Sequence, residues 1–298
     1  MIYMKDILYY PGCSLKDTAK GFEDSAIKVS EELEINLKEL SRWNCCGTVY
    51  SLTDDNLMKQ LGPVRNLIRA KDEGFDRLYT LCSMCDNTLK RTNKLVKEDE
   101  EKLDKINNFM DQENDYEADV EIRHYLELLR DELEWSTVSD KVVNPLEGLN
   151  VAPYYGCMLT RPKEIGLDDP HEPTVFDELV ESLGGTPVDF PYEAECCGSY
   201  NTVDNEEMVL RKTQTITAGA GKSGADVIIT ACPLCHFNLD RRQADLLEVA
   251  PNHDPVPVLY FTQLMAVAFG HPEVSKFEEH AIDPRELFEP EMKVGSER

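Results

Sequence analysis

Short runs of hydrophobic residues alternate with longer stretches of helical spacing along this chain. The short runs, bounded by glycine, proline or polar residues, predict strands at 6–10, 36–40, 75–81, 120–124, 150–155, 186–190, 225–230 and 256–261. The longer stretches predict helices at 22–33, 54–71, 86–97, 125–133, 174–183, 205–222 and 262–269. Because strands and helices alternate, the pattern indicates an α/β fold of parallel sheets with covering helices.

Three segments lack this alternation. The acidic, Asn-rich segment 98–119 has apolar spacing only around Leu103 and Ile106, and we expect a partly helical surface excursion there. Segment 136–149 is predicted to connect two halves of the chain. The tail beyond Gly270 is charged and contains prolines, which predicts that it wraps over a partner or is loosely held.

The predicted elements form two successive sets, and each set carries the same arrangement of five of the 10 cysteines. A cysteine after a Tyr-Tyr phrase is followed by a Cys-Cys-Gly triplet and then by Cys-x-x-Cys, which gives Cys13, Cys45, Cys46, Cys82 and Cys85, then Cys157, Cys196, Cys197, Cys232 and Cys235. Corresponding cysteines lie 144 (13 and 157), 151 (45 and 196) and 150 (82 and 232) residues apart. We therefore predict two pseudo-symmetric repeats of Rossmann-like parallel strand–helix units, as domains 1–148 and 149–298.

Composition narrows the class of protein. The 298 residues, 41% hydrophobic and 30% charged, are typical of a soluble globular protein, and no apolar run approaches the roughly 20 residues of a membrane helix. The first residues lack the apolar core of a signal peptide, so we expect a cytoplasmic protein. A formal net charge of −26 argues against nucleic-acid binding, which requires a basic face.

In the cytoplasm, ten cysteines indicate metal binding or redox chemistry, because reducing thiol pools keep structural disulfides open. Each cysteine group follows a predicted strand, and the carboxyl ends of parallel strands meet at one edge of a sheet. Five thiols therefore gather in each half. Five exceed the four of a tetrahedral zinc site or of an ordinary cubane cluster. Two alternatives remain open at this point: a zinc site with one spare thiol, or an iron–sulfur site of unusual nuclearity.

The motifs themselves resemble a known family. The phrases Tyr-Tyr-Pro-Gly-Cys-Ser, Trp-Asn-Cys-Cys-Gly, Leu-Cys-Ser-Met-Cys, Tyr-Tyr-Gly-Cys, Glu-Cys-Cys-Gly-Ser-Tyr and Ala-Cys-Pro-Leu-Cys-His are similar to the duplicated cysteine-rich CCG domain. Within that family, the likeness is to the B subunits of CoB–CoM heterodisulfide reductases. It covers nearly the whole chain, with the acidic segment and the tail the least similar parts.

The resemblance implies a specific chemistry. Each set of five cysteines would hold one non-cubane [4Fe–4S] cluster, and the disulfide CoM-S-S-CoB would lie between the two clusters. Each cluster would deliver one electron while its iron captures one sulfur, so no thiyl radical is released. Electrons would come from two other components of the reductase, one a ferredoxin-like iron–sulfur protein and the other a flavin-containing protein. A larger complex would add hydrogenase or formate dehydrogenase subunits.

Weaker candidates lie near the motifs. The substrate carries sulfonate, phosphate and carboxylate groups, so cationic contacts are expected, and the candidates are Arg42, Arg161, Arg211, Lys212 and Lys222, with Arg161 preferred. His236, next to Cys235, is a candidate proton donor to a leaving thiolate, against the alternative of a packing histidine. His124 and His171 are predicted to be structural.

Two other functions remain open. One is an electron-transfer component of another CCG complex, such as a lactate-, glycolate- or quinone-linked oxidoreductase. Many of those relatives fuse a ferredoxin domain to the same chain, and this chain has no ferredoxin cysteine run. The other is a zinc protein whose cysteines are purely structural, which explains four thiols in each half but neither the fifth nor the duplication.

Overall fold

The computed structural model describes residues 5–48 and 56–288. It contains two four-stranded sheets, one in each half of the chain. The first sheet comprises β1 (Lys5–Tyr10), β2 (Ile35–Glu39), β3 (Arg77–Thr80) and β4 (Glu121–His124), in the order β2-β1-β3-β4. The second comprises β5 (Asn150–Pro153), β6 (Thr186–Pro187), β7 (Val227–Thr230) and β8 (Val258–Tyr260), in the order β6-β5-β7-β8.

All neighbouring strands are parallel, and the two sheets have the same strand order. This confirms the predicted α/β fold with two pseudo-symmetric repeats. The inner strands are apolar because helices cover both faces of a parallel sheet. All four residues of β7 are buried, as are the last four of β1.

Helices connect the strands. They are α1 (Gly12–Leu15), α2 (Lys20–Glu32), α3 (Leu61–Asp72), α4 (Ser83–Glu98), α5 (Glu100–Phe109), α6 (Tyr125–Glu127), α7 (Glu134–Ser139), α8 (Val175–Ser182), α9 (Glu206–Lys222), α10 (Pro233–Val249) and α11 (Phe261–Ala268). The helix predicted at 125–133 comprises α6 and a π-helical turn, Leu128–Leu133, and most of α7 lies in the segment predicted as a connection. The predicted start of the helix at 54–71 lies outside the described residues; its described part is a 3₁₀ turn, Leu57–Gln60, followed by α3.

The two halves share one hydrophobic core. Phe22 of α2 stacks on Tyr260 of β8, with ring centroids 4.3 Å apart and planes 3° from parallel. Phe261 meets Phe22 edge-on at 5.6 Å. Next to these rings, the hydroxyls of Ser25 and Thr262 are 2.7 Å apart. Side chains from both halves therefore fix the position of one sheet relative to the other.

Helix α10 is absent from the predicted elements because its buried face is polar. Asn238, Asp240 and Gln243 are all fully buried on that face, which hides the apolar periodicity of an amphipathic helix. Their side chains form hydrogen bonds within the chain. The Asn238 amide, for example, donates to the Cys197 carbonyl at 3.0 Å.

The acidic segment is partly helical, as predicted, but it is anchored to the core. Ile106 of α5 is buried, and the buried Tyr116 donates its hydroxyl hydrogen bond to Asn93 of α4 at 2.6 Å. As far as the described residues reach, the tail is not loosely held, so that alternative is wrong, and wrapping over a partner stays a prediction. Phe277 and Phe288 are buried and stack at 5.5 Å, so this part of the tail packs against its own chain.

None of the helices in the described part of the chain combines the length and the apolar character that crossing a bilayer requires.

Candidate metal centre

The loops after three strands of each sheet carry the cysteines. In the first half, Cys13 lies in α1 directly after β1, and Cys45 and Cys46 lie in the loop after β2. Cys82 is the N-cap residue of α4, and Cys85 lies in the first turn of that helix. The second half repeats this placement with Cys157, Cys196, Cys197, Cys232 and Cys235. All ten are free thiols, and the fold gathers each set of five as the sequence predicts.

Within each half, the sulfur atoms form an inner and an outer pair. The inner pair is Cys46 and Cys85, whose Sγ atoms are 3.5 Å apart, and the second half matches it with Cys197 and Cys235 at 3.3 Å. The outer pair consists of Cys13 and Cys45, which are hydrogen-bonded to each other. Its equivalents, Cys157 and Cys196, form the same bond.

The fifth thiol of each half meets its counterpart. Cys82 and Cys232 are hydrogen-bonded to each other across the boundary between the halves. The Ser83 backbone N–H donates to the Ala231 carbonyl at 3.0 Å beside them, so the contact is held by main-chain atoms. The two sets of five are therefore adjacent sites on either side of the boundary between the halves.

Crowding divides the thiols into those that keep a proton and those that lose it. Hydrogen bonds with Cys45 and Cys85 hold the pKa of Cys46 well below its usual value. The hydrogen bond with Cys157 lowers the pKa of Cys196 to about 6. The hydrogen bond with Cys46 raises the pKa of Cys85 in turn. Thiols that share protons in this way suit a metal, which binds thiolates and displaces their protons.

Two tyrosines hold the Cys-Cys-Gly loops at equivalent positions. The Tyr10 hydroxyl donates to the carbonyl of Asn44 at 2.8 Å, directly before Cys45. The Tyr154 hydroxyl donates to the carbonyl of Glu195 at 2.6 Å, directly before Cys196. Each bond ties the end of a central strand to the loop that presents two adjacent thiols. Sequence reasoning missed both tyrosines, although their repetition at the same distance before Cys13 and Cys157 was a usable signal.

A glycine lets the upstream cysteine approach the inner pair. Gly12 has φ +70°, and a Cβ atom there would lie 3.1 Å from the Cys85 Sγ atom. Gly156 has φ +63°, and its Cβ would lie 3.4 Å from the Cys235 Sγ atom. A side chain at Gly12 would therefore combine a strained backbone with crowding of an inner sulfur, and one at Gly156 would strain the backbone.

A cavity of about 60 Å³ adjoins the first set of thiols. Four cysteines line it together with apolar side chains from both halves, which include Pro11, Leu15, Met84, Pro233 and Leu234. Across the same boundary, the Tyr200 hydroxyl contacts the Met84 sulfur at 3.5 Å. The walls of this cavity, apart from the thiols, are therefore mostly apolar.

Arg161 lies beside the second site and binds the backbone. Its guanidinium donates to the carbonyls of Ala194 at 2.7 Å and Pro170 at 3.1 Å. These bonds fix the loop that precedes Cys196. A substrate contact of Arg161 stays a prediction, and of the other cationic candidates Arg211 pairs with Glu207 at 2.5 Å and Lys212 lies 3.8 Å from Glu195.

The His236 ring packs against other aromatic rings and not against a thiol. It stacks on Tyr260 at 4.2 Å and meets His280 edge-on at 4.9 Å. Burial lowers the pKa of His236 to about 3, so the ring is neutral near pH 7. His124 has a structural role, since its Nε2 atom is 2.8 Å from the Leu81 carbonyl and its Nδ1 atom accepts the Leu126 N–H.

Comparison with known proteins assigns the repeat to a family. The family model described as a cysteine-rich (CCG) domain matches residues 7–90 and again 151–240. The chain is 33% identical over 270 residues to the membrane anchor of the 8-methylmenaquinol:fumarate reductase of Wolinella succinogenes, covering 90% of this chain and 93% of that protein. It is 31% identical over 290 residues to the B subunit of a ferredoxin/F420H2-dependent CoB–CoM heterodisulfide reductase of Methanosarcina acetivorans, covering 94% of each.

A solved structure supports the fold. A hypothetical protein of Helicobacter pylori superposes with a TM-score of 0.75 at 15% identity, over 93% of this chain. The match spans about half, 53%, of the length of that protein.

Proposed function

This chain belongs to the cysteine-rich CCG domain family, and we propose that it is the catalytic subunit of a heterodisulfide reductase. In the proposed reaction, CoM-S-S-CoB takes up two electrons and two protons, its S–S bond breaks, and the thiols CoM-SH and CoB-SH are released. Supporting the proposal is the likeness to subunits that carry this name, over almost their whole length.

The observation that carries the proposal is the contact between Cys82 and Cys232. It brings two equivalent five-thiol sites side by side, as a reaction on two sulfur atoms requires. One-electron donors that act singly on a disulfide would leave a thiyl radical, and a second site next to the first removes that intermediate.

The thiols fit the cofactor that the family implies, two non-cubane [4Fe–4S] clusters. Cys13, Cys45, Cys46, Cys82 and Cys85 would hold one, and their five counterparts the other. Bound there, the clusters would supply one electron each. The fifth thiol in each half is the feature that four-coordinate zinc leaves unexplained.

The surrounding residues would orient the thiols and exclude water. Tyr10 and Tyr154 hold the loops that carry adjacent cysteines. Met84 and Leu234 close the space beside the first site from opposite halves. A dry wall would protect sulfur intermediates from solvent and strengthen electrostatic interactions at the reacting atoms. His236 remains a candidate for carrying a proton, although its ring packs on Tyr260.

Electrons must enter from other components of a complex. We propose two partners in the cytoplasm, a ferredoxin-like iron–sulfur protein and a flavin-containing protein, with hydrogenase or formate dehydrogenase subunits in a larger assembly. The names of the related proteins support a complex of several subunits.

A second candidate function is electron transfer within another CCG complex. The likeness to the Wolinella succinogenes membrane anchor, at 33% identity, favours it. In that function the two clusters would pass electrons between a quinol-linked protein and a dehydrogenase, and no disulfide would be cleaved.

Anaerobic spectroscopy separates these functions. About eight iron and eight sulfide per chain are expected for two four-iron clusters. Addition of CoM-S-S-CoB to the reduced protein should oxidise the clusters and thereby change their spectrum. Iron without any response to the heterodisulfide, together with oxidation by a menaquinone analogue, would support the electron-transfer function. Two zinc ions without sulfide would contradict both.

A further inference from the structure

A second cavity, of about 370 Å³, shares Pro233 as a wall with the cavity beside the first thiol site. Residues from both halves line it, including Ala19 and Gly21 at the start of α2 and Tyr260 at the end of β8. Its size is that of a small-molecule site. The cavity therefore lies next to the candidate reaction centre without containing any of its cysteines.

Two cations line this cavity. Arg241 donates one guanidinium hydrogen bond to the backbone carbonyl of Glu279 at 2.9 Å, and no carboxylate in the described chain forms an ion pair with it. Lys276 pairs with Asp24 at 2.6 Å and also faces the cavity. Glu279 also lines the cavity, so its lining carries two cationic side chains and one carboxylate, in a chain with a formal net charge of −26.

Two imidazole nitrogens of residues that line the cavity, the His236 Nε2 and the His280 Nδ1, are buried without a well-aligned hydrogen bond, and both rings interact with the Val258 backbone. Of these two, the His280 Nδ1 must carry a proton, for the following reason. The Gln263 amide nitrogen donates to the His280 Nε2 at 2.9 Å and to the Ser275 carbonyl at 2.6 Å, while its oxygen accepts the Tyr260 N–H at 2.8 Å. The Nε2 is thus an acceptor, and the neutral ring carries its proton at Nδ1, next to the Val258 backbone. An anionic oxygen in the cavity would offer this N–H a stronger acceptor than a neutral carbonyl does.

A metal ion does not fit these groups. The ligand atoms of His236, Asp240 and His280 lie within 4.8 Å of one another, but Asp240 and Arg241 both disfavour a cation there. Both Asp240 oxygens already accept backbone N–H groups, from Ala281 at 2.8 Å and Ile282 at 3.1 Å. The positive charge of Arg241 would also repel a cation.

We propose that this cavity binds an oxyanion, as a carboxylate, phosphate or sulfonate group, through Arg241, Lys276 and the Nδ1–H of His280. All three are donors, and two are charged, which is the arrangement that anionic oxygens prefer. The anion is either a free solute or one anionic end of the disulfide substrate. The second source rests on the proposed function, since that substrate carries such groups and Pro233 separates the cavity from the first thiol site.

Calorimetric titration of the full-length chain at low ionic strength tests the proposal. The probes are inorganic phosphate and methanesulfonate. Saturable binding with a dissociation constant of about 1 mM or tighter is expected. Arg241→Gln should weaken it about tenfold or more, since one charge-assisted hydrogen bond is lost, and Arg241→Lys should retain part of it. Arg285→Gln is the matched control, because Arg285 is half-exposed, pairs with Asp283 and lies outside the cavity.

Competition identifies the source of the anion. If CoM-S-S-CoB displaces phosphate, the cavity holds an end of the substrate; if both bind together, the site is for a free anion. Circular dichroism checks that Arg241→Gln folds, and Lys276→Gln provides a second variant if it does not. Absence of saturable binding of either probe would overturn the proposal, and so would equal affinity in the wild type, Arg241→Gln and Lys276→Gln. Phosphate binding needs neither clusters nor turnover, so its failure is distinguishable from failure of the proposed function.

Discussion

The thiols of Cys82 and Cys232 are hydrogen-bonded to each other across the boundary between the two halves of the chain. Each residue is the N-cap of the helix that follows the third strand of its sheet. The helix N-termini favour negative charge at both sulfurs, and closeness makes the charge of one thiol depend on the other. The hydrogen bond with Cys232 accordingly raises the pKa of Cys82. The two candidate centres therefore form one electrostatic unit.

Removal of this contact should disturb both centres. In Cys82→Ser we expect iron to fall from about eight to about four per chain, and the spectrum of the remaining centre to shift, because Cys232 loses its partner. Cys13→Ser is the matched control at the outer edge of the same half. It should lose similar iron and leave the second centre's electron paramagnetic resonance spectrum unchanged. Identical spectra for the remaining centre in both variants would contradict the coupling.

The two tyrosine hydroxyls should each tune one centre. Tyr10→Phe frees the loop before Cys45, so we expect a shifted spectrum and midpoint potential of the first centre only, and Tyr154→Phe should do the same for the second. Each lost hydrogen bond should also cost about 1 kcal/mol of unfolding free energy. Tyr125→Phe removes a comparable buried bond, with Ser30 at 2.6 Å, and should change stability alone. Equal midpoint potentials of the first centre in Tyr10→Phe and Tyr125→Phe would contradict a role of the Tyr10 hydroxyl in tuning that centre.

Gly12→Ala should prevent assembly of the first centre. Its Cβ would lie 3.1 Å from the Cys85 sulfur on a backbone with φ +70°. Gly74→Ala provides the control, since Gly74 has φ +82° but nothing within 4 Å of the added atom. We expect that control to bind full iron and lose about 1–2 kcal/mol from backbone strain alone. Full iron content in Gly12→Ala would show that the glycine is needed only for its conformation.

Phe22 should stabilise both halves together. Truncation to Ala removes the stack on Tyr260 and leaves a cavity between the halves, which should cost about 3–5 kcal/mol of unfolding free energy. Ile27→Ala on the same helix changes a side chain that is 37% exposed and should cost about 0.5 kcal/mol or less. Denaturant unfolding measures both. Separate unfolding transitions of the two halves in the wild type would argue against one shared core.

Buried His124 should make the fold sensitive to acid. Burial lowers its pKa from 6.5 to about 3 in the native state, so the unfolded chain binds a proton first as the pH falls. The stability contribution is present above pH 6.5 and is lost progressively down to about pH 3. Between pH 7 and pH 5 the loss should be about 2 kcal/mol, and His124→Gln should remove it. The exposed His171 serves as control, and an equal loss of stability in His124→Gln and wild type would contradict the assignment.

Much of the architecture could be predicted because its signals are local. The apolar runs that became β1 and β7 are buried on both faces, and helical spacing identified α2 and α9 within one or two residues of their ends. Helix α10 could not be predicted, because its buried face carries Asn238, Asp240 and Gln243, whose partners come from distant segments. The tail was misjudged for the same reason, since the burial of Phe277 depends on surfaces far away in sequence.

The sequence by itself determined the α/β class, the duplication and the two sets of five cysteines. Hydrophobic periodicity reports local secondary structure, and the spacing of the cysteine motifs reports the internal repeat. Only the tertiary structure decided which thiols touch, which tyrosine holds which loop, and that Arg241 and His280 share a cavity. Those relationships join residues that are tens to hundreds of positions apart. The contact of Cys82 with Cys232 also depends on how the two halves pack, as Phe22 packs against Tyr260, and this packing leaves no periodic trace in the sequence.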